Sequence, residues 1–420
     1  MATDVDVQFF SHLNGLTLGN NWGDLIRLLD QALVTGIDFT QITAASIDEQ
    51  GDVHITLYAA HNAMLFQVVE LSGFTPASFN QKYRIKGVPS TTELILKPHT
   101  AIIETSITTV GAGKLASLGY EIIFRDTNDV KRVYRAKNPT AQHPFIRVDE
   151  TLSDGTNTYT ESYAKSALVG LIENMTHIDD YEDPVKLQLP INVSDLKKNW
   201  RITGTGNSVI RGWCKWYWAT NAAPNSNQTE QGSPSNGNRY FSLVGDSDAF
   251  YFLRSLTAAS DGKVLSGAGL FNSGLDSSYI PNWYLMGASK DTSAAASMHL
   301  MDTLAGASLA YAANCSAFFI PKIGATKMVI HDIARPIMPD YQTGYTGKFA
   351  SNNIAALEIP FSDDSKYLRG SLKHVVFCGD KNNLSKKVSS PILGDNAMYL
   401  YDSIDLRSMI GGLYFYLGEL

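Results

Sequence analysis

Cysteine is nearly missing from this chain: 420 residues hold three, Cys214, Cys315 and Cys378, odd in number and far apart. They form neither a disulfide framework nor a metal knuckle, so folding in a reducing cytoplasm is the expectation. Charged residues are scarce too, at 18%, and they sum to −7. Lys and Arg form no run longer than two, which excludes a surface that tracks nucleic-acid phosphates. Long apolar runs are absent: the stretch around Ala305–Ile320 is broken by Ser, Asn and Gly, so membrane insertion is not expected. The opening MATDVDVQFF has no cationic start followed by an apolar run, and no secretory leader is expected.

What is present is apolar residue at 44%, enough for a sizeable core in each of several domains, together with much Gly, Ser, Thr, Asn and Tyr. That mixture favours a β-rich protein. Leu65–Leu71, Lys82–Val88 and Thr91–Leu96 read as short strands separated by turn residues. Within the second, alternation puts Tyr83 and Ile85 on one face and Lys82, Arg84 and Lys86 on the other, the pattern of a half-buried antiparallel strand. Ahead of them Trp22, Leu25, Ile26, Leu29 and Leu33 recur at helical spacing, with Asn20 or Asn21 as cap and Gly36 as stop. A hairpin over Thr40–Ile47 and Val53–Ala59 turns at Glu49–Gly51.

Residues 1–101 thus read as a helix plus a small β module. Residues 102–190 read as a second β domain, with strands at Ile102–Val110, Tyr120–Asp126, Lys131–Ala136 and Phe145–Thr151 and a strand or helix within Ser162–His177. Residues 191–420 form a large β-rich block. In it Arg239–Leu253 makes two strands around Gly245–Asp246, Ile392–Tyr401 echoes that pattern, and Gly412–Leu417 is a buried last strand. Residues 219–238 lack large apolar side chains and read as a flexible polar loop or surface arm. The Ala- and Ser-rich stretch 291–313 is the helix candidate of this block. The expected fold class is mainly β, built of antiparallel sandwiches or barrels in several domains, with a short N-terminal helix and this second helix.

Several segments, in order, resemble a family of uncharacterised virion proteins of tailed bacteriophages. They are LNGLTLGNNWGDLIRLLDQALVTGID (Leu13–Asp38), the Leu65–Leu96 module, KLASLGYEIIFRDTNDVKRVYRAKNP (Lys114–Pro139), FIRVDE (Phe145–Glu150), SALVGLIENMTHIDD (Ser166–Asp180) and FSLVGDSDAFYFL (Phe241–Leu253). The likeness spans most of residues 10–255 and thins beyond. It implies a structural component of the tail, baseplate or neck–collar, made in the host cytoplasm and carried in the virion. Such a part assembles as a homo-oligomer with copies of itself and other virion proteins. The family has no catalytic residues to carry over.

The residues themselves offer little chemistry. Gly111–Lys114 lacks the Walker spacing, since Thr108 and Leu115 stand where Gly and Ser or Thr are needed. Ser162-x-x-Lys165 lacks the companion motifs of its enzyme class, and Gly306–Ala310 lacks the second Gly of a nucleophile elbow. Acidic runs at His177–Asp183 and Asp126–Asp129 do not have the EF-hand spacing and suit turns and caps. No H-E-x-x-H occurs, and neither a metal nor a cofactor is expected. The aromatic group Trp213, Trp216, Tyr217 and Trp218 is the candidate contact site: core or subunit interface on one reading, a sugar-stacking platform on a host surface glycan on the other. The chain is therefore expected to be a non-enzymatic virion part, with a receptor- or carbohydrate-binding module as the alternative. A glycan depolymerase would need paired carboxylates that only the fold can set.

Overall fold

The computed structural model describes residues 3–224, 226, 229–260, 262–276, 278, 280–290, 300, 303–310, 317–323, 331–337, 357–377, 389–394, 396–406 and 409–420. Among the described residues strands account for 43% and helical turns for 7%, arranged as antiparallel sheets, so the mainly β expectation holds.

The N-terminal sheet has seven strands in the order Ile37–Asp38, Ala112–Leu115, Val68–Ser72, Lys82–Gly87, Glu93–Pro98, Val53–Leu57 and Ile42–Ile47. The apolar stripe predicted from Trp22 onward forms an α-helix over Asp24–Leu29, which widens into a π-type turn over Asp30–Thr35. Gly36 ends it at φ 75°, and a Cβ there would lie 2.1 Å from the Leu115 carbonyl oxygen, so only glycine fits. The cap is not Asn20 or Asn21. The Glu150 carboxylate, arriving from the middle sheet, accepts from the Gly23 and Ile26 amides at 2.5 and 3.1 Å.

The middle sheet runs Ala288–Ser289, Cys214–Ala219, Lys165–Ile172, Phe145–Asp149, Lys131–Ala136 and Tyr120–Arg125, with Gln188–Leu189 added beside Lys165–Ile172. Lys165–Ile172, all eight residues buried, pairs with Phe145–Asp149 on one side and Cys214–Ala219 on the other, which settles the strand-or-helix ambiguity there. The third sheet has thirteen strands. It begins with the N-terminal strand Gln8–Ser11 against Phe241–Gly245, passes through Ala249–Ser255 and Lys263–Leu270, and ends with Met409–Glu419, Ala397–Leu406 and the edge strand Ser390–Gly394. The chain thus starts and finishes in one sheet. One apolar cluster joins these three large sheets, with Leu25 and Ile85, Val148 and Trp216, and Phe241 and Phe250 among its members.

Several expectations need correction. Sheet membership crosses the block boundaries at 101 and 190: Ala112–Leu115 completes the N-terminal sheet, and Cys214–Ala219 lies inside the middle one. Ile102–Val110 forms no strand; Ile103 is 91% exposed, and only Thr109 makes a single bridge, to Thr75. Of the helix expected at 291–313, residues 291–299, 301–302 and 311–313 lie outside the described residues. Residues 303–310 are turns, in which Ala305 and Leu309 take φ of 54° and 62°, incompatible with a right-handed helix. Arg84, expected on a solvated face, is fully buried, because the segment around Asp4–Val7 and the last strand cover that face.

Candidate functional site

The aromatic strand Cys214–Ala219 sits inside the middle sheet, between Lys165–Ile172 and Ala288–Ser289, and both of its faces are covered. Trp216 and Trp218 are fully buried. The Trp216 indole donates to the Met286 carbonyl at 2.7 Å and packs edge-on to Phe250, and Trp218 meets Trp22 at 5.5 Å. Tyr217, on the opposite face, is buried as well. The sugar-platform and subunit-interface readings therefore fail for these three, since none can touch a partner without unfolding. Trp213 alone is half-buried, and Lys198 at 4.9 Å, His331 at 5.1 Å and Phe319 at 6.0 Å surround its ring.

Tyr217 instead leads to a buried polar cluster. Its hydroxyl donates to Glu230, which also receives Lys215 at 3.2 Å and Lys290 at 3.6 Å. Burial pushes the Glu230 carboxyl up, but Lys215, Lys290 and Tyr217 outweigh it and hold the group at about 2. Burial lowers Lys215 to about 8 against the pull of Glu230. The Glu230 carbonyl accepts from the Ala164 amide at 2.8 Å and from the Tyr159 hydroxyl at 3.3 Å. Glu230 belongs to the stretch expected to be a flexible arm, so at this point the loop is pinned to the sheet. Beside the cluster a cavity of about 10 Å³, lined by Ala164, Tyr217 and Lys290 among others, has room for one water.

Of the other motifs, Gly113 and Lys114 are in a strand paired with Glu70 and Leu71, not in a phosphate loop. Lys165 donates to the Glu161 and Tyr163 carbonyls at 2.6 and 2.8 Å, which occupies the cation of the Ser162-x-x-Lys165 pair.

The fold does bring together residues that the sequence shows only as separate turns. At the loop end of the middle sheet, the Asp126–Asp129 turn, the Ser153–Thr158 hairpin, the turn Asp180–Glu182 and the segment 197–202 surround an open cleft of about 480 Å³. Tyr181 and Trp200 line it, 5.6 Å apart between ring centroids. Beneath them lies Arg147, fully buried, its guanidinium 4.8 Å from the Tyr181 ring and 4.3 Å from the Trp200 ring. Arg147 also binds Asp149 at 2.9 Å, Asp179 at 3.1 Å and the Ile178 carbonyl at 2.8 Å. Burial raises Asp149, but Arg147 and Thr151 more than compensate and keep it below the usual carboxylate range. On the rim Glu182 pairs with Lys197 at 2.7 Å, both about half-exposed. The signal that finds this site is not a motif but the meeting of the Asp126–Asp129 turn and the Ser153–Thr158 hairpin with the segment that folds back after Ile172.

Among the described residues no three His, Cys, Asp or Glu side chains are grouped to hold a metal, and no helix is long and apolar enough to cross a membrane. No protein-family model matches the chain, and a search of curated proteins returns no match.

Proposed function

We propose that the chain is a non-enzymatic structural component of a tailed-phage virion, in the tail, baseplate or neck–collar region, assembling with copies of itself and with other virion proteins. The observation that carries this reading beyond the sequence resemblance is an exposed apolar group on the thirteen-stranded sheet. Tyr367 and Leu368 are each 63% exposed and Ile337 is 55% exposed. They lie at one end of the ladder: Ile337 bonds to Pro360, and Leu368 pairs with Ser362 two residues further along the same strand. Large apolar side chains left outward at one end of neighbouring strands suit a protein–protein contact surface. The interlocked chain suits a rigid particle part: Gln8–Ser11 pairs with Phe241–Gly245, and Asp4 bonds to Glu419 at 3.0 Å.

Quantitative mass spectrometry of purified particles tests the reading. A fixed small copy number relative to the portal is expected, and absence from the particle overturns it. Leu368→Asp should leave the purified chain folded but remove it from particles.

A second reading, a carbohydrate- or receptor-binding module on the same particle, is favoured by the Tyr181–Trp200 cleft rather than by the buried tryptophans.

A further inference from the structure

We infer that the cleft at the loop end of the middle sheet binds a neutral oligosaccharide, hexose or N-acetylhexosamine units, with Tyr181 as the ring against which a sugar face rests. This deepens the carbohydrate-binding reading and is independent of whether the chain is a particle component, because the purified protein alone is tested.

Size is the first argument. About 480 Å³ lies within the roughly 300–1,000 Å³ of small-ligand sites, and the cleft is open at the surface, as a chain of sugars requires.

Rigidity is the second. A ring that must bury a pyranose face gains most when it is fixed beforehand, because little side-chain entropy is then lost on binding. Tyr181 is fixed. Arg147 lies 4.8 Å from its centroid, and Arg147 itself is immobilised by Asp149, Asp179, the Ile178 carbonyl and the Trp200 ring. Tyr181 nevertheless remains partly exposed and lines the cleft. Gly170 allows Trp200 to sit this deep, since a Cβ there would lie 2.6 Å from the indole.

The third argument is the chemistry of the rim. Sugar hydroxyls both donate and accept, so a sugar site needs both kinds of partner. The rim supplies them from Asn128, Asp154, Glu182, Lys197 and Arg201. Each lining cation already faces a carboxylate: Lys197 faces Glu182, Arg201 faces Asp195, and Lys131 approaches Asp179 at 3.9 Å. Asp126 and Asp154 are lining carboxylates as well, so an anionic sugar would meet repulsion rather than a waiting cation. That distinguishes a neutral glycan from a uronic or sialic one.

The test is isothermal titration of the purified full chain with three probes of equal length: tetra-N-acetylchitotetraose, maltotetraose and tetragalacturonate. At least one neutral probe should bind in the micromolar-to-millimolar range and tetragalacturonate should not. Tyr181→Ala should weaken the neutral probe by about tenfold or more, the scale of one lost stacking contact. Glu182→Gln, a change at a half-exposed carboxylate that spares the floor, should weaken it by about threefold with the melting temperature unchanged. It decides the matter if the Tyr181 variant does not fold. The inference is overturned if no neutral probe binds at millimolar concentration, if both variants bind as the parent does, or if tetragalacturonate binds as tightly.

Discussion

Glu230→Gln preserves shape but deletes the carboxylate that Lys215 and Lys290 share inside the protein. The fall of the Glu230 pKa from 4.5 to about 2 corresponds to about 3 kcal/mol in favour of its charged form in the fold. Holding Lys215 in the same place lowers it from 10.5 to about 8, an opposing effect of about 3 kcal/mol. Within the intact cluster the two shifts oppose each other. Removing one partner is different, because two ammonium groups are left buried, and such a loss costs about 3–5 kcal/mol. Since the cluster pins the loop that carries Glu230, the cost should first appear as local opening. The reporter is hydrogen exchange at the Ala164 amide, which bonds to the Glu230 carbonyl, with the Phe250 amide of the long sheet as internal reference. At pH 7 the variant should exchange faster at Ala164 by about two decades or more. In the parent, stabilisation from this depressed carboxyl is complete above about 4.5 and declines as pH falls towards 2, so opening should rise in that window. The variant should not respond there. Instead it should regain protection as pH rises and Lys215, without the pull of Glu230, loses its proton at lower pH than in the parent. Adding Lys215→Met and Lys290→Met to the variant should restore most of the protection. Exchange at Ala164 within about threefold of the parent at pH 7 would refute the idea that Glu230 locks the loop.

Arg84→Met removes donors to the Asp4, Val7, Phe66 and Leu417 carbonyls and should lower stability by about 3–5 kcal/mol, read by thermal unfolding; an unchanged melting temperature would show that these bonds hold nothing. Trp216→Ala should lower stability by about 3–5 kcal/mol in a urea titration, whereas a surface platform would leave the midpoint where it is. Burial lowers His331 to about 4, so its charged form is disfavoured in the fold and its contribution to stability declines as pH falls from 6.5 towards 4. The Trp213 fluorescence, isolated by subtracting a Trp213→Phe variant, should report that titration near pH 4, because the two rings are 5.1 Å apart; a midpoint at 6.5 would contradict the burial.

Strand positions were legible where one face meets a core and the turn between strands has its own chemistry. Phe241–Gly245 and Ala249–Ser255 flank the Gly-Asp turn as the alternation requires, and Ser390–Gly394 and Ala397–Leu406 form a second hairpin at the echo of that pattern. A period of two says which residues share a face, but not whether something covers the other face. That is why Trp216 and Trp218 could be assigned to one side of a strand while core, interface and sugar contact all stayed open, and why Arg84 was expected in water. The cleft was illegible for a different reason. Its lining comes from residues near 126, 149–154, 181–182 and 197–202, separate in sequence; strand pairing sets 126–131 beside 149–154, and the segment after Ile172, which leaves from the opposite end, adds 181–182 and 197–202 by folding back.

Buried arginine explains how a chain with so few cysteines ties distant segments together. Arg84, Arg132, Arg147, Arg211, Arg239, Arg254 and Arg369 are each almost fully excluded from solvent. Several reach backbone carbonyls across long sequence distances. Arg84 spans from Asp4 to Leu417, Arg211 joins the Thr151 and Ser166 carbonyls, and Arg254 joins Tyr217 to Phe252. Where sheets diverge, carbonyls lose their ladder partners, and an unsatisfied buried carbonyl costs as much as a lost hydrogen bond. A guanidinium carries five donors in a fixed fork and serves several such carbonyls at once, while lysine has one compact ammonium. Burial lowers Arg84 only to about 9, so it stays charged at neutral pH and keeps its four bonds to carbonyls. Arg84→Lys should accordingly be about as damaging as Arg84→Met, because the four bonds of Arg84 depend on the geometry of the fork and not on the charge.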